Sequence, residues 1–121
     1  MANKLAYTTL HIADLEKSLA LYQDIMGMKE ILRYRIEEVD ETIVVLEAAE
    51  GGKLELVQKP GFVLEMTEQE NISLAFDVDD AMAIIDKIGS TCNASFEPAP
   101  DTKFFFTTDP DGYSLNLIER K

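Results

Sequence analysis

Leu5–Gly27 reads LAYTTLHIADLEKSLALYQDIMG, and the fold follows from how this stretch changes period. From Leu5 to Ile12 the side chains alternate as in a strand. Leu5, Tyr7, Thr9 and His11 fall on one face, and Ala6, Thr8, Leu10 and Ile12 on the other. At Asp14 the pattern switches. Its carboxylate can accept hydrogen bonds from the free amides of a first helical turn. Leu15, Leu19, Tyr22 and Met26 then recur as one apolar stripe, and Gly27 supplies a left-handed stop.

The chain does this again over Ile72–Gly89, ISLAFDVDDAMAIIDKIG. Alternation runs to Val78, Asp79 or Asp80 can cap, Ala81, Ile84, Ile85 and Ile88 form the stripe, and Gly89 ends it. A strand–helix unit followed by strands, written twice at half the chain length, predicts two similar modules and not a solenoid of short repeats.

The intervening segments supply the strands. Met28–Glu38 alternates, with Leu32, Tyr34 and Ile36 on one face and Arg33, Arg35 and Glu37 on the other. Glu38–Glu41 reads as a turn, and Thr42–Ala48 as an apolar strand. Glu50-Gly51-Gly52 makes a hairpin into Lys53–Gln58, where Leu54 and Leu56 oppose Lys53, Glu55 and Val57. Residues 60–71, opened by Pro60-Gly61, join the halves and carry apolar Phe62, Val63, Leu64 and Met66. Beyond the second helix, Ser90–Asp101 reads as an extended connection held by Pro98 and Pro100. Lys103–Thr108 and Tyr113–Glu119 are strands about the turn Asp109-Pro110-Asp111-Gly112. One domain is expected, with modules at about 4–59 and 72–119.

Composition narrows the function. With 121 residues, 46% of them hydrophobic, each half is too small to bury a sheet face alone. The formal charge of −12 opposes binding to nucleic acid or an anionic membrane surface, both of which need a positive face. No run approaches the ~20 apolar residues of a membrane span. A single cysteine, Cys92, forms no internal disulfide, which points to a reducing, cytoplasmic setting.

The doubled plan, the opening LHIADLEKSLALYQDIMG and the closing FFFTTDPDGYSLNLIE resemble the vicinal oxygen chelate superfamily. That group contains glyoxalase I, extradiol dioxygenases and bleomycin-resistance proteins, and the chain is most similar to the glyoxalase I-like branch. The resemblance implies an α+β fold, in which two tandem βαβββ modules form a cup-shaped mixed sheet around a cleft. It also implies a small organic ligand in that cleft and a homodimer.

Family members with metal chemistry place one ligand on each of four strands, and carry-over puts those positions at Tyr7, Glu55, Ser73 and Asn116. Metal-bearing members use His, Gln or Glu there, whereas this chain keeps one carboxylate. Neutral tyrosine and serine are poor divalent ligands because their protons leave only near pH ~10 or above. No cofactor is therefore expected beyond weak divalent metal binding. The four residues read either as a polar cluster orienting a ligand, with Glu55 a candidate base, or as a former ligand set now serving structure.

His11 shares the Tyr7 face about 13 Å along the strand. In the resemblance it sits near the cleft mouth, and the repeat sets Asp77 at the matching place, so the geometry allows a His11–Asp77 pair; the alternative is a packed or half-exposed strand histidine. Carry-over from the resemblance puts Phe104 and Phe106, with Leu32, Tyr34 and Ile36, on the cleft wall as a pocket for an apolar or aromatic molecule; the alternative is that they are ordinary core. Two rivals remain. One is a lyase or isomerase of the glyoxalase type, and the other is a protein that sequesters a drug or metabolite.

Overall fold

A computed structural model describes residues 3–59, 61–62 and 72–120. The elements follow in the order β1 (Thr8–Ile12), α1 (Leu15–Leu19), β2 (Lys29–Ile36), β3 (Glu41–Glu47), β4 (Lys53–Gln58), β5 (Ser73–Asp77), α2 (Ala81–Ile88), β6 (Ala94–Ala99), β7 (Thr102–Thr108) and β8 (Ser114–Arg120). They build two four-stranded sheets, ordered β1-β4-β3-β2 and β5-β8-β7-β6. In each sheet the first strand pairs in parallel with the last, and the other pairings are antiparallel. This is the βαβββ plan twice over. The chain divides into two compact units, residues 1–63 and 64–121.

The repeat extends to individual hydrogen bonds. Asp14 accepts from the amides of Glu16 and Lys17 at 3.0 and 3.3 Å, and Asp80 accepts from Ala83 at 3.1 Å. These carboxylates satisfy amides that a first helical turn leaves without partners. In each unit the last strand supplies a second acceptor. The Leu15 amide donates to Gln58 Oε1 at 2.5 Å, and the Ala81 amide donates to Glu119 Oε2 at 2.8 Å. At the far end of α2, Gly89 takes φ +74, the left-handed conformation that closes a helix without a Cβ penalty.

In the first unit, the core gathers Leu10 and Ile12 of β1, Val44 and Leu46 of β3, and Leu54 and Leu56 of β4, together with Leu15, Leu19 and Tyr22. Leu115 and Leu117 of β8, with Ala81 and Ile85 of α2, are the corresponding buried set of the second unit.

Four local expectations change. β1 begins at Thr8 and not at Leu5: its partner β4 begins at Lys53 and Thr8 pairs with Leu54, so Leu5 and Ala6 lie beyond the start of β4. The first helix widens into a π-helical segment over Ala20–Ile25, where the Met26 amide bonds the Leu21 carbonyl at 2.9 Å. A wider turn consumes an extra residue and breaks the 3.6 period. Leu21 beside Tyr22 is therefore buried, while Met26 at the end of the expected stripe is half-buried. Residues 37–39 form a 3₁₀ turn ending on Asp40 at φ 53, where a simple turn was expected.

The largest change is β6, since the connection expected at Ser90–Asp101 contains a strand. Proline argues against a central strand, but among the described strands β6 pairs only with β7. Its register breaks between Phe96 and Ala99, around Pro98, so no ladder hydrogen bond is required of the ring nitrogen. Of the segment joining the halves, only residues 61 and 62 lie among those described, and the readings of Val63, Leu64 and Met66 fall outside.

Candidate functional site

Strand register decides which side chains share a face. In the first sheet Thr9, Glu55, Val45 and Leu32 lie opposite one another across four strands, and His11, Val57, Ile43 and Tyr34 form the next row on that face. Glu55, His11 and Tyr34 are thus on one face, and Arg33 and Arg35 on the other. Tyr7 precedes β1 by one residue and is 44% exposed.

In the second sheet, the rows are Ser73–Ser114–Thr108, Ala75–Asn116–Phe106–Ala94 and Asp77–Ile118–Phe104–Phe96. Ser73, Asp77, Asn116, Phe104 and Phe106 therefore share one face. Phe105 pairs with Leu117 on the reverse.

Glu55 is only 9% exposed, and Thr9 Oγ1 donates to its Oε1 at 2.8 Å. A buried carboxylate needs such a donor, because desolvation without one is costly. Within the first unit the register puts Thr9, and not Tyr7 of the expected polar cluster, directly across from Glu55. Thr9 was missed. The signal was the alternation that set it on the face of Tyr7 and His11. His11 packs beside the Phe62 ring, centroids 5.9 Å apart at 39°.

Asn116, also 9% exposed, stands at the register position in its unit that Glu55 holds in the first, and its Oδ1 is buried without a hydrogen-bond partner among the described residues. The residue across from it is Ala75, which has no donor side chain. Ser73 is exposed, and its hydroxyl reaches Ser114 Oγ at 3.4 Å. Asp77 Oδ1 accepts from Arg120 Nε at 2.7 Å, an exposed ion pair within its own sheet. Phe104 and Phe106 meet almost at right angles, centroids 6.3 Å apart, and Phe96 meets Phe106 edge-on at 5.9 Å. Such geometry suits the quadrupole of aromatic rings. Phe96 remains 58% exposed.

Charge elsewhere in the first sheet is locally settled. On edge strand β2, Arg33 grips Glu30 bidentately at 2.7 and 3.1 Å, and this hydrogen bonding holds the Glu30 carboxyl below its usual range and the Arg33 guanidinium above its own. Arg35 engages Asp40, Thr42 and Glu37.

Tyr7, Glu55, Ser73 and Asn116, the positions onto which the resemblance carries the ligands of metal-bearing members, offer a phenol, a carboxylate bonded to Thr9, a hydroxyl and an amide. Transition metals favour imidazole, thiolate and several carboxylates. This set does not fit one.

Comparison with known proteins agrees with the doubled plan. Residues 4–117 match the family described as Glyoxalase/Bleomycin resistance protein/Dioxygenase superfamily. A probable lactoylglutathione lyase of Vibrio cholerae is 29% identical over 127 residues, covering 98% of this chain and 92% of that one. Among solved structures, the trypanothione-dependent glyoxalase I of Leishmania major superposes with TM-score 0.76 at 23% identity, over 98% of this chain and 87% of that one. The fosfomycin resistance protein FosX of Listeria monocytogenes, complexed with Mn(II) and sulfate, superposes with TM-score 0.74 at 20% identity, over 100% and 95%.

Proposed function

We propose, from the premise that this chain belongs to the Glyoxalase/Bleomycin resistance protein/Dioxygenase superfamily, that it binds a small organic ligand on the faces carrying Glu55 and Asn116, without a tightly held transition metal. The observation that carries this reading is the state of Glu55. It is nine-tenths buried and oriented by a neutral hydroxyl on the neighbouring strand, on a face it shares with Tyr34 and His11. A carboxylate so placed is directional. One oxygen is committed to Thr9, which leaves Oε2 as the acceptor for a ligand's donor, or as a base toward an acidic C–H or O–H. Phe104 and Phe106 supply apolar surface on the second sheet, where a ligand's carbon skeleton loses water on binding. The reading includes a cytoplasmic protein acting as a homodimer.

A second reading is favoured by the names of the relatives, lactoylglutathione lyases at 29% identity. Here the chain would be a lyase or isomerase of the glyoxalase type, with Glu55 moving the proton and a divalent ion bound weakly. The two part at the metal and at the chemistry.

The test is a thermal-shift screen of metabolites and divalent ions on native protein and on Glu55→Gln, with elemental analysis of the purified native chain. Less than stoichiometric metal, together with ligand shifts that change in Glu55→Gln, supports binding. One tight metal per chain refutes the proposal, and an identical ligand profile in the variant removes Glu55 from the site.

A further inference from the structure

The two modules treat the same position differently. In the first, Glu55 is opposite Thr9 and bonded to it; in the second, Asn116 is opposite Ala75, and its Oδ1 has no partner among the described residues. The first module completes its polar residue from its own neighbouring strand. The second does not, although Asn116 is as deeply buried as Glu55. Buried amide oxygens in folded proteins are overwhelmingly satisfied, so an orphan of this kind marks a place where something else supplies the donor.

The surroundings say what that something is. Across the strands Asn116 is flanked by Ala75 and Phe106, and along its own strand on that face by Ser114 and Ile118. None of these side chains carries a charge. The charged pair on this face, Asp77 and Arg120, is closed on itself at 2.7 Å. Beside the amide stand Phe106 and Phe104, whose half-buried rings meet almost at right angles, and Phe96, which meets Phe106 edge-on and presents an exposed ring to a flat apolar body. An asparagine amide has an acceptor at one end and donors at the other, and a half-turn exchanges them. Its complement is a molecule with a donor and an acceptor side by side, as on a lactam or a heteroaromatic edge.

Resting on the ligand-binding reading above, we infer that the second module recognises a neutral planar ring bearing an adjacent donor–acceptor edge, which pairs with Asn116 and stacks against Phe104 and Phe106. An anionic ligand would gain no charge partner from this set, and a plain hydrocarbon ring would leave Oδ1 unpaired.

The repeat itself suggests the test. Ala75→Thr copies the first module's solution, placing a hydroxyl across from Asn116 as Thr9 stands across from Glu55. Ala75 is exposed, so the larger side chain is accommodated. The probes are 2-quinolone, with its N–H beside C=O, and 1-methyl-2-quinolone, the same ring without the donor, titrated by fluorescence into native protein, Ala75→Thr and Asn116→Leu. We expect 2-quinolone to bind the native chain at least about tenfold tighter than its N-methyl analogue, the value of one well-made hydrogen bond. That preference disappears in both variants. Ala75→Thr also raises the melting temperature by about 4 °C, which shows that it folds and that the orphan is satisfied.

Equal binding of the two quinolones, or an undiminished preference in Ala75→Thr, overturns the inference, as does failure of 2-quinolone to bind at millimolar concentration. A metabolite whose binding depends on Glu55 and is indifferent to Ala75→Thr overturns it too, while leaving the broader ligand-binding proposal standing.

Discussion

Replacing Thr9 by valine tests the site at its best-defined contact. Valine has nearly the shape of threonine and the same β-branch, so the strand and its packing are kept. What disappears is the hydroxyl that donates to Glu55 Oε1 at 2.8 Å, the one hydrogen bond of that carboxylate among the described residues. A hydrogen bond to a charged group contributes about 1.5–3 kcal/mol. With Glu55 only 9% exposed, water replaces little of it, and a loss of about 2 kcal/mol is expected. For a chain of this length that lowers the melting temperature by about 6–8 °C.

Urea denaturation of the native chain, Thr9→Val, Glu55→Leu and the double variant closes a thermodynamic cycle. Valine at position 9 should cost next to nothing once Glu55 is gone, because there is no acceptor left to orphan. The coupling should be about 1.5–2 kcal/mol. Additive single effects, agreeing within about 0.5 kcal/mol, would show that the two side chains do not support one another and would remove the physical basis for an oriented Glu55.

Asp80→Ala takes the carboxylate from the first turn of α2 and should cost about 1 kcal/mol in chemical denaturation, with Asp80→Asn restoring most of it. On β2, Arg33→Gln should return the Glu30 carboxyl upward toward its usual range in an NMR titration. In the native chain that carboxyl is held low, so the pair's contribution is present above the unfolded carboxyl value and fades as pH falls through the lower folded one. Both side chains are solvent-accessible, so the stability involved is discounted to a few tenths of a kcal/mol, about the lower end for surface pairs. An unmoved Glu30 titration in the variant would contradict the assignment of the shift to Arg33.

The doubled architecture was legible because its signals are local. Asp14 and Asp80 announce helix starts by chemistry that acts within three residues, Gly89 ends a helix by a backbone angle only glycine takes freely, and alternation along β4 and β8 fixes which side chains share a face. Where the reading failed, the deciding facts were distant in the chain. Pro98 argues correctly against a central strand, yet β6 is an edge strand whose register slips around it, and edge position is a property of the whole sheet. The widened turn over Ala20–Ile25 has no residue that specifies it, so a period of 3.6 was the natural assumption.

For the site, the resemblance grouped Glu55 with Tyr7, and alternation set Tyr7, Thr9 and His11 on one face, but neither could give the stagger between β1 and β4, and that stagger selects Thr9. The orphaned oxygen of Asn116 was similarly invisible, because it depends on Ala75 being the residue across the ladder.

The parallel pairings that close each sheet also set the order in which the site comes into being. β2, β3 and β4 are joined by short connections and can zip as a meander, whereas β1 must return across the whole module to reach β4, a separation of 46 residues between Thr9 and Glu55. The entropy of closing so large a loop delays that step relative to local hairpins. Ser73 and Ser114, 41 residues apart, close the second sheet in the same way. A nascent chain can thus assemble most of a sheet while Glu55 still faces water without its threonine, so the ligand face matures only with the last strand to dock.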